Sequence, residues 1–241
     1  MHPARNDVEF IWLAPPREHS SAPAWLRELV GDHFFTDVDT VDFTYCEELG
    51  DVELEHVSVL RNLTLLVLSA TQVTDAGLEH LVGLTRLEWL ELPGTQVTDD
   101  GLEHLKGLTN LRWLRLDDTQ VSDGGLQNLK GLTELEDLWL SSTRVTDAGL
   151  EHLRGMTELN SLVLCGTQVT DAGIQHLRSL TNVGTLYLSD THVTFQGIKE
   201  LQAALPNCEI VWDDPNTNPQ HQPLPTLTPL NAENFVSACG R

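Results

Sequence analysis

The chain has 241 residues and carries 36 acidic against 14 basic side chains, a formal net charge of −22 at pH 7. Such a charge repels nucleic-acid phosphates and anionic lipid head groups, so neither nucleic acid nor a membrane surface is an expected partner. The apolar run from Phe10 to Pro16 is far shorter than the roughly 20 residues of a spanning helix. Residues 1–7 lack the features of a secretory signal, so we expect a cytoplasmic protein.

Residues 1–35 are predicted to form a capping segment at one end of a repeat array. Residues 8–13 are apolar enough for a short strand, and residues 20–35 predict a helix with Trp25 and Leu29 on its apolar face. A solenoid exposes its core at both ends, and a cap prevents the ends from associating.

A 24-residue unit then repeats six times. Its glycines recur at a spacing of 24, at Gly77, Gly101, Gly125, Gly149, Gly173 and Gly197. The unit reads L-x-x-L-x-x-L-x-L-x-x-T-x-V-T-D-x-G-L-x-x-L-x-G, and its copies begin at Leu60, Leu84, Leu108, Leu132, Met156 and Leu180. With one irregular copy before them and a closing strand after them, the repeats are expected to occupy residues 36–212.

Each unit mixes two periods and therefore predicts one strand and one short helix. L-x-L alternates as a strand does, whereas G-L-x-x-L has helical spacing. The Thr or Ser before the Asp, as at Thr74, is expected to cap the helix, and the Asp, as at Asp75, faces the positive end of its dipole. The earlier Thr, as at Thr71, is expected to satisfy backbone groups where the strand turns. Glycine weakens a helix, so we expect Gly77 and its equivalents to permit close approach to the strand layer.

The repeat resembles a known family. A unit this small cannot bury its own leucines, so the copies must stack and share one core. Residues 71–81, T-Q-V-T-D-A-G-L-E-H-L, resemble the repeat of bacterial leucine-rich repeat proteins, especially those of planctomycetes. They are also similar to the repeats of eukaryotic F-box proteins, which have Cys where this chain has Thr. The resemblance implies an α/β leucine-rich repeat solenoid, a curved right-handed superhelix with parallel strands on its concave face and short helices on its convex face. It further implies protein binding on the concave face and no shared catalytic residues.

The C-terminal end of the array also has a predicted boundary. Pro206 is expected to end the last helix, and residues 209–212 read as a final strand on which Trp212 covers the core. Residues 213–241 contain five prolines and few apolar residues, so a disordered tail is predicted.

The sequence shows no pattern typical of catalysis or metal binding. Cys46 and Cys165 are predicted to lie five strand steps apart, about 24 Å, which is too far for a disulfide, although a pair with Cys239 remains open. Five histidines share one repeat position, but adjacent helices lie about 8 to 10 Å apart, too far for ligands of one ion. These are His56, His80, His104, His152 and His176. We therefore expect no metal, no cofactor and no enzyme.

Binding residues are expected where the copies differ. The seventh and ninth repeat positions point into the core, so the sixth, eighth and tenth face the concave side. Trp89, Trp113 and Trp139 fall on this face and predict one exposed aromatic patch with a charged rim, as in binding hot spots. The alternative is that these tryptophans stack on one another for stability. The candidate partner-binding residues are Trp89, Glu91, Arg112, Trp113, Arg115, Asp117, Asp137, Trp139 and Tyr187.

These observations favour a monomeric, non-catalytic module that binds a protein or peptide on its concave face. The alternative is a substrate-recognition adaptor of the ubiquitin-ligase type. It is disfavoured because the sequence contains no counterpart of an F-box.

Overall fold

The computed structural model describes residues 11–12 and 38–213. The predicted helix at residues 20–35 and the Pro-rich tail after Asp213 lie outside the described residues. Within the described residues, nine parallel strands form one sheet in chain order. They are β1 (Ile11–Trp12), β2 (Thr40–Asp42), β3 (Leu65–Val67), β4 (Trp89–Glu91), β5 (Trp113–Arg115), β6 (Asp137–Trp139), β7 (Ser161–Val163), β8 (Thr185–Tyr187) and β9 (Glu209–Val211).

One short helix follows each strand from β2 to β8. The helices are α1 (Asp51–Val57), α2 (Asp75–Leu78), α3 (Asp99–Leu102), α4 (Asp123–Leu129), α5 (Asp147–Leu150), α6 (Asp171–Ile174) and α7 (Phe195–Ala204). Four of them continue as 3₁₀ turns, at Glu79–Leu81, Glu103–Leu105, Glu151–Leu153 and Gln175–Ser179. The predicted alternation of strand and helix is confirmed, including the irregular copy at β2 and α1. Of the strand predicted at residues 8–13, β1 is the described part.

The leucines of successive repeats form one continuous core between the sheet and the helices. Those at the seventh and ninth positions, such as Leu114 and Leu116, are fully buried, as are those on the helices, such as Leu126 and Leu129. The sheet is in register from repeat to repeat, so that Trp89 pairs with Trp113 and Leu90 with Leu114. Because each copy repeats the same packing, equivalent side chains form columns that run along the solenoid.

A threonine closes the turn after each strand from β3 to β8, as predicted. The hydroxyl of Thr71 donates to the carbonyl of Leu68 at 2.7 Å. The same bond recurs at Thr95, Thr119, Thr143, Thr167 and Thr191. The residue before this Thr has a positive φ in these repeats, for example 57° at Ala70 and 67° at Gly94. The buried hydroxyl therefore supplies a donor to a carbonyl that the turn removes from the sheet.

From α1 to α6, the aspartate at the helix start bonds to the following repeat, which the sequence did not indicate. Asp75 Oδ1 accepts from the amide of Thr98 at 2.7 Å, and its Oδ2 accepts from the Thr98 hydroxyl at 2.6 Å. The Thr98 hydroxyl in turn accepts from the amide of Asp100 at 3.3 Å, which confirms the predicted cap. Ser122 differs, because its hydroxyl donates to Asp99 but caps no amide. The carboxylates thus form a ladder, from Asp51 to Asp171, that joins successive helix starts.

This ladder also explains the repeated glycine. A Cβ added at Gly101 would collide with Asp75 Oδ1 and would lie 3.1 Å from Leu78 Cδ1. The close contact is therefore with the preceding repeat. The prediction that this glycine permits close approach to the strand layer was wrong. Asp75 and Leu78 both belong to α2, the helix of that preceding repeat.

The last repeat departs from the pattern of the others at the start of its helix. Phe195 occupies the aspartate position, and its ring centroid lies 6.5 Å from that of Trp212. Trp212 packs against the core and donates from its indole nitrogen to the carbonyl of Val193 at 3.0 Å. The prediction that Trp212 covers this end of the core is confirmed.

Several absences hold for the described part of the chain. No helix in it is long and apolar enough to cross a membrane. It contains no group of three His, Cys, Asp or Glu residues placed to hold a metal ion. Cys165 and Cys208 are buried thiols, and burial raises the pKa of Cys165 to about 11.

Candidate partner-binding surface on the concave face

The register of the sheet brings the candidate tryptophans together. Trp89 and Trp113 occupy the sixth position of adjacent repeats, and their rings stack with centroids 4.0 Å apart and planes 5° apart. This separation is close to the spacing of about 4.8 Å between adjacent strands, so the two rings stack face to face across β4 and β5. The ring of Trp139 lies 6.2 Å from that of Trp113 and is tilted by 34°.

The expectation of three exposed indoles was wrong for Trp139, whose exposed fraction is only 7%. Trp139 forms a small second apolar cluster with Val163 and Cys165, and Trp113 and Tyr187 pack against it. These side chains, together with Arg115 over the ring, cover the Trp139 indole. Trp89 and Trp113 are half-buried, so they are the accessible members of the three tryptophans.

Three of the charged candidates, Glu91, Arg115 and Asp117, form a network beside the indoles instead of an exposed rim. Glu91 and Asp117 are buried, with exposed fractions of 9% and 6%. Arg115 joins them, because its Nη1 lies 3.3 Å from Glu91 Oε2 and its Nε lies 3.2 Å from Asp117 Oδ2. The guanidinium carbon also lies 4.4 Å from the ring centroid of Trp139, a cation–π contact.

Both carboxylates have further partners. Glu91 Oε1 accepts from the indole nitrogen of Trp89 at 2.8 Å, and Asp117 Oδ1 accepts from the amide of Ser141 at 3.1 Å. Charge-assisted bonds of this kind fix side-chain positions more firmly than neutral ones. The network therefore holds Trp89 and Arg115 in defined orientations on the concave face.

Arg112 forms its side-chain contacts away from the three tryptophans. It lies just before β5 and pairs with Glu136, the residue just before β6. The pKa of Arg112 is raised by its hydrogen bond and charge interaction with Glu136, with smaller contributions from Glu88 and Glu134. This margin of the concave face thus has one arginine among three glutamates.

Asp137 is the candidate with the most perturbed acidity. It is half-buried on β6, between Trp113 on β5 and Ser161 on β7. Burial raises its pKa to about 6, a shift that the neighbouring Ser161 hydroxyl opposes and the charge of Glu136 increases. Within the described chain, no basic side chain forms an ion pair with Asp137.

Some residues of this face were not among the candidates. Val163, Cys165, Ser141 and Ser161 are all buried there. They lie at the sixth, eighth and tenth repeat positions, as the candidates do. The repeat pattern therefore already placed them on this face. Among the described residues, no hydrogen-bond partner exists for the buried indole nitrogens of Trp113 and Trp139 or for the Ser141 hydroxyl.

Replacing Asp137 by Asn is expected to stabilise the protein in a pH-dependent way. The folded-state pKa of about 6 lies above the ordinary value of 3.8, so ionisation favours the unfolded chain. The loss of folding stability caused by ionising Asp137 is absent below its unfolded-state pKa. It grows as the pH rises and is complete above its folded-state pKa. The melting temperature of D137N should exceed that of the wild type at about pH 8, and the difference should shrink at about pH 4. A difference that is the same at both pH values would contradict the raised pKa.

The sheet, the stacked repeats and the shared core define an α/β leucine-rich repeat solenoid. Its extended strand face is the surface that such solenoids use for binding. No family model matches the sequence, and no curated protein is similar to it.

Solved structures similar to the chain include two internalins of Listeria monocytogenes, which are leucine-rich repeat proteins. For one internalin (inlF), the TM-score is 0.62 and the identity 27%, over 73% of this chain and 48% of that chain. For internalin C2 (inlC2), the TM-score is 0.60 and the identity 25%, over 75% of this chain and 83% of that chain. The chain therefore spans about half the length of the first of these internalins.

Proposed function

We propose that this protein is a non-catalytic interaction module that binds a protein or peptide on its concave strand face. The partner is expected to contact the accessible stack of Trp89 and Trp113, beside the network of Glu91, Arg115 and Asp117. The single observation that carries the proposal is this half-buried indole pair on the open face of the sheet.

Two features of the surface support this assignment. Aromatic and arginine side chains dominate the energetics of protein interfaces, and here they occur together in neighbouring columns of the sheet. The network holds these side chains in place, so less side-chain entropy is lost when a partner binds. The fold and the comparisons do not favour the adaptor alternative.

The proposal is tested by comparing two double variants of the full chain as baits for its native partner. W89A/W113A removes the accessible indoles, whereas E103A/H104A changes exposed or half-exposed residues of the convex side. Trp139 is left intact because it is buried. Once a partner has been captured with the wild type, its affinity for each purified variant is measured directly.

W89A/W113A should weaken this affinity by about tenfold or more, as expected for the loss of anchoring aromatic residues. E103A/H104A should bind as the wild type does, and both variants should keep cooperative unfolding. If E103A/H104A loses the partner while W89A/W113A retains it, the convex surface is the site and the proposal is wrong.

A further inference from the structure

One cationic side chain of the chain itself, Arg115, is bound on the concave face. The guanidinium of Arg115 lies over the ring of Trp139 and pairs with both Glu91 and Asp117. One planar cation thus contacts an indole on β6, a carboxylate on β4 and a second carboxylate just after its own strand, β5. Stacking and paired carboxylates suit a guanidinium better than an ammonium group.

A second indole and carboxylate, Trp113 and Asp137, lie beside it, and no basic side chain among residues 38–213 forms an ion pair with this carboxylate. Trp113 and Asp137 are register partners on β5 and β6, so their side chains leave the sheet about 5 Å apart. One face of the Trp113 ring is covered by Trp89 on β4, and the other is turned toward β6. On β6, Trp139 lies at an angle to this second face and Asp137 is its direct neighbour.

Resting on the proposed function, we propose that Trp113 and Asp137 form the subsite for one arginine side chain of the partner. The guanidinium stacks against the indole and pairs with the carboxylate, as Arg115 does with Trp139 and its two acids. The partner is therefore a protein or peptide that presents an arginine to the concave face.

The surrounding charges favour a cation. Just before its own strand, Asp137 has Glu136 beside it. On the β5 side lie two arginines: Arg115 is paired with Glu91 and Asp117, and Arg112, just before β5, is paired with Glu136. On the other side, β7 presents Ser161 and Val163, neither of which is charged. Both nearby arginines are thus engaged with other acids, and the chain as a whole carries a net charge of −22.

The acidity of Asp137 gives the subsite a pH dependence. Since burial raises its pKa to about 6, the free protein holds a carboxylate here above that pH and a neutral acid below it. Arginine binding should therefore be strongest above about pH 7 and should weaken as the pH falls through 6.

The test uses N-acetyl-arginine amide as the probe and its neutral isostere, N-acetyl-citrulline amide, as the matched ligand control. Binding is followed in the full chain by the indole N–H signals of ¹⁵N-labelled protein, with the Trp113 signal assigned from W113F. The variants are D137N and, as a control with the same chemical change on an exposed convex helix position, D100N.

The arginine compound should shift the Trp113 signal with saturation at about pH 8, whereas the citrulline compound should not. Affinity should fall about tenfold in D137N and be unchanged in D100N, as expected for the loss of a charge-assisted pair. Lowering the pH to about 5 should weaken binding to the wild type but not to D137N.

The inference is overturned if the two compounds shift the signal equally, if neither gives a saturable shift, or if D137N binds as the wild type does. Its failure can be distinguished from that of the proposed function. If W89A/W113A loses the native partner but the arginine compound does not bind, only the arginine subsite is wrong. If W89A/W113A keeps the partner, the concave assignment itself is wrong.

Discussion

Leu114→Ala should lower the free energy of unfolding by about 2 to 5 kcal/mol, the cost typical of removing a fully buried leucine. Leu114 lies at the centre of the array, and its exposed fraction is 0%. Its strand pairs with β4 on one side and β6 on the other, so a cavity there affects packing in three repeats. The measurement is denaturant unfolding of the full chain followed by far-ultraviolet circular dichroism.

Val82→Ala is the matched control, since this apolar residue has an exposed fraction of 48% and contributes little to the core. Its effect should stay within about 0.5 kcal/mol. Because solenoids are stabilised by nearest-neighbour contacts, L114A should also broaden the transition. A loss for L114A no larger than that for V82A would mean that this column is not buried.

Gly149→Ala should destabilise the protein by about 1 to 3 kcal/mol, although this change stabilises most helices. The added Cβ would lie 2.5 Å from Asp123 Oδ1, 3.0 Å from Leu126 Cδ1 and 3.2 Å from the Asp123 Cα. Asp123 cannot move away freely, because its carboxylate accepts from both the amide and the hydroxyl of Thr146. Relieving the collision would break one rung of the carboxylate ladder between the repeats.

The same repeat offers a matched control in Gly155→Ala. A Cβ at Gly155 would meet no atom within 4 Å, so this variant should unfold within about 0.5 kcal/mol of the wild type. Thermal or denaturant unfolding of the two variants measures the difference directly. Equal stabilities would contradict the argument that Gly149 is required by the preceding repeat.

Much of the fold could be predicted because the sequence repeats. The 24-residue spacing gives the order of strands and helices, and it places Leu114 in the core and Thr71 at its turn. The role of Asp75 could not be predicted in full, because its partner Thr98 is 23 residues away and the pairing depends on how two helices stack. Gly101 was assigned the wrong contact for the same reason.

The candidate surface was predictable in its location but not in its burial. Alternation in the strands places Trp89, Trp113 and Trp139 on the concave side, and their register follows from the constant repeat length. Burial of an individual indole depends on the neighbouring side chains, and Trp139 is covered by Arg115, Val163 and the residues packed around them. The same contacts place the acids Glu91 and Asp117 in a buried network instead of an exposed rim.

The central claim, that the concave face binds the partner, is tested most directly by site-specific photo-crosslinking. A photoreactive residue at Leu65, the half-buried register partner of Trp89, is compared with one at His104 on the convex side, in otherwise unchanged chains. The account predicts that the partner is crosslinked from position 65 and not from position 104, and that W113A reduces the yield. Efficient crosslinking from position 104 with none from position 65 would contradict it.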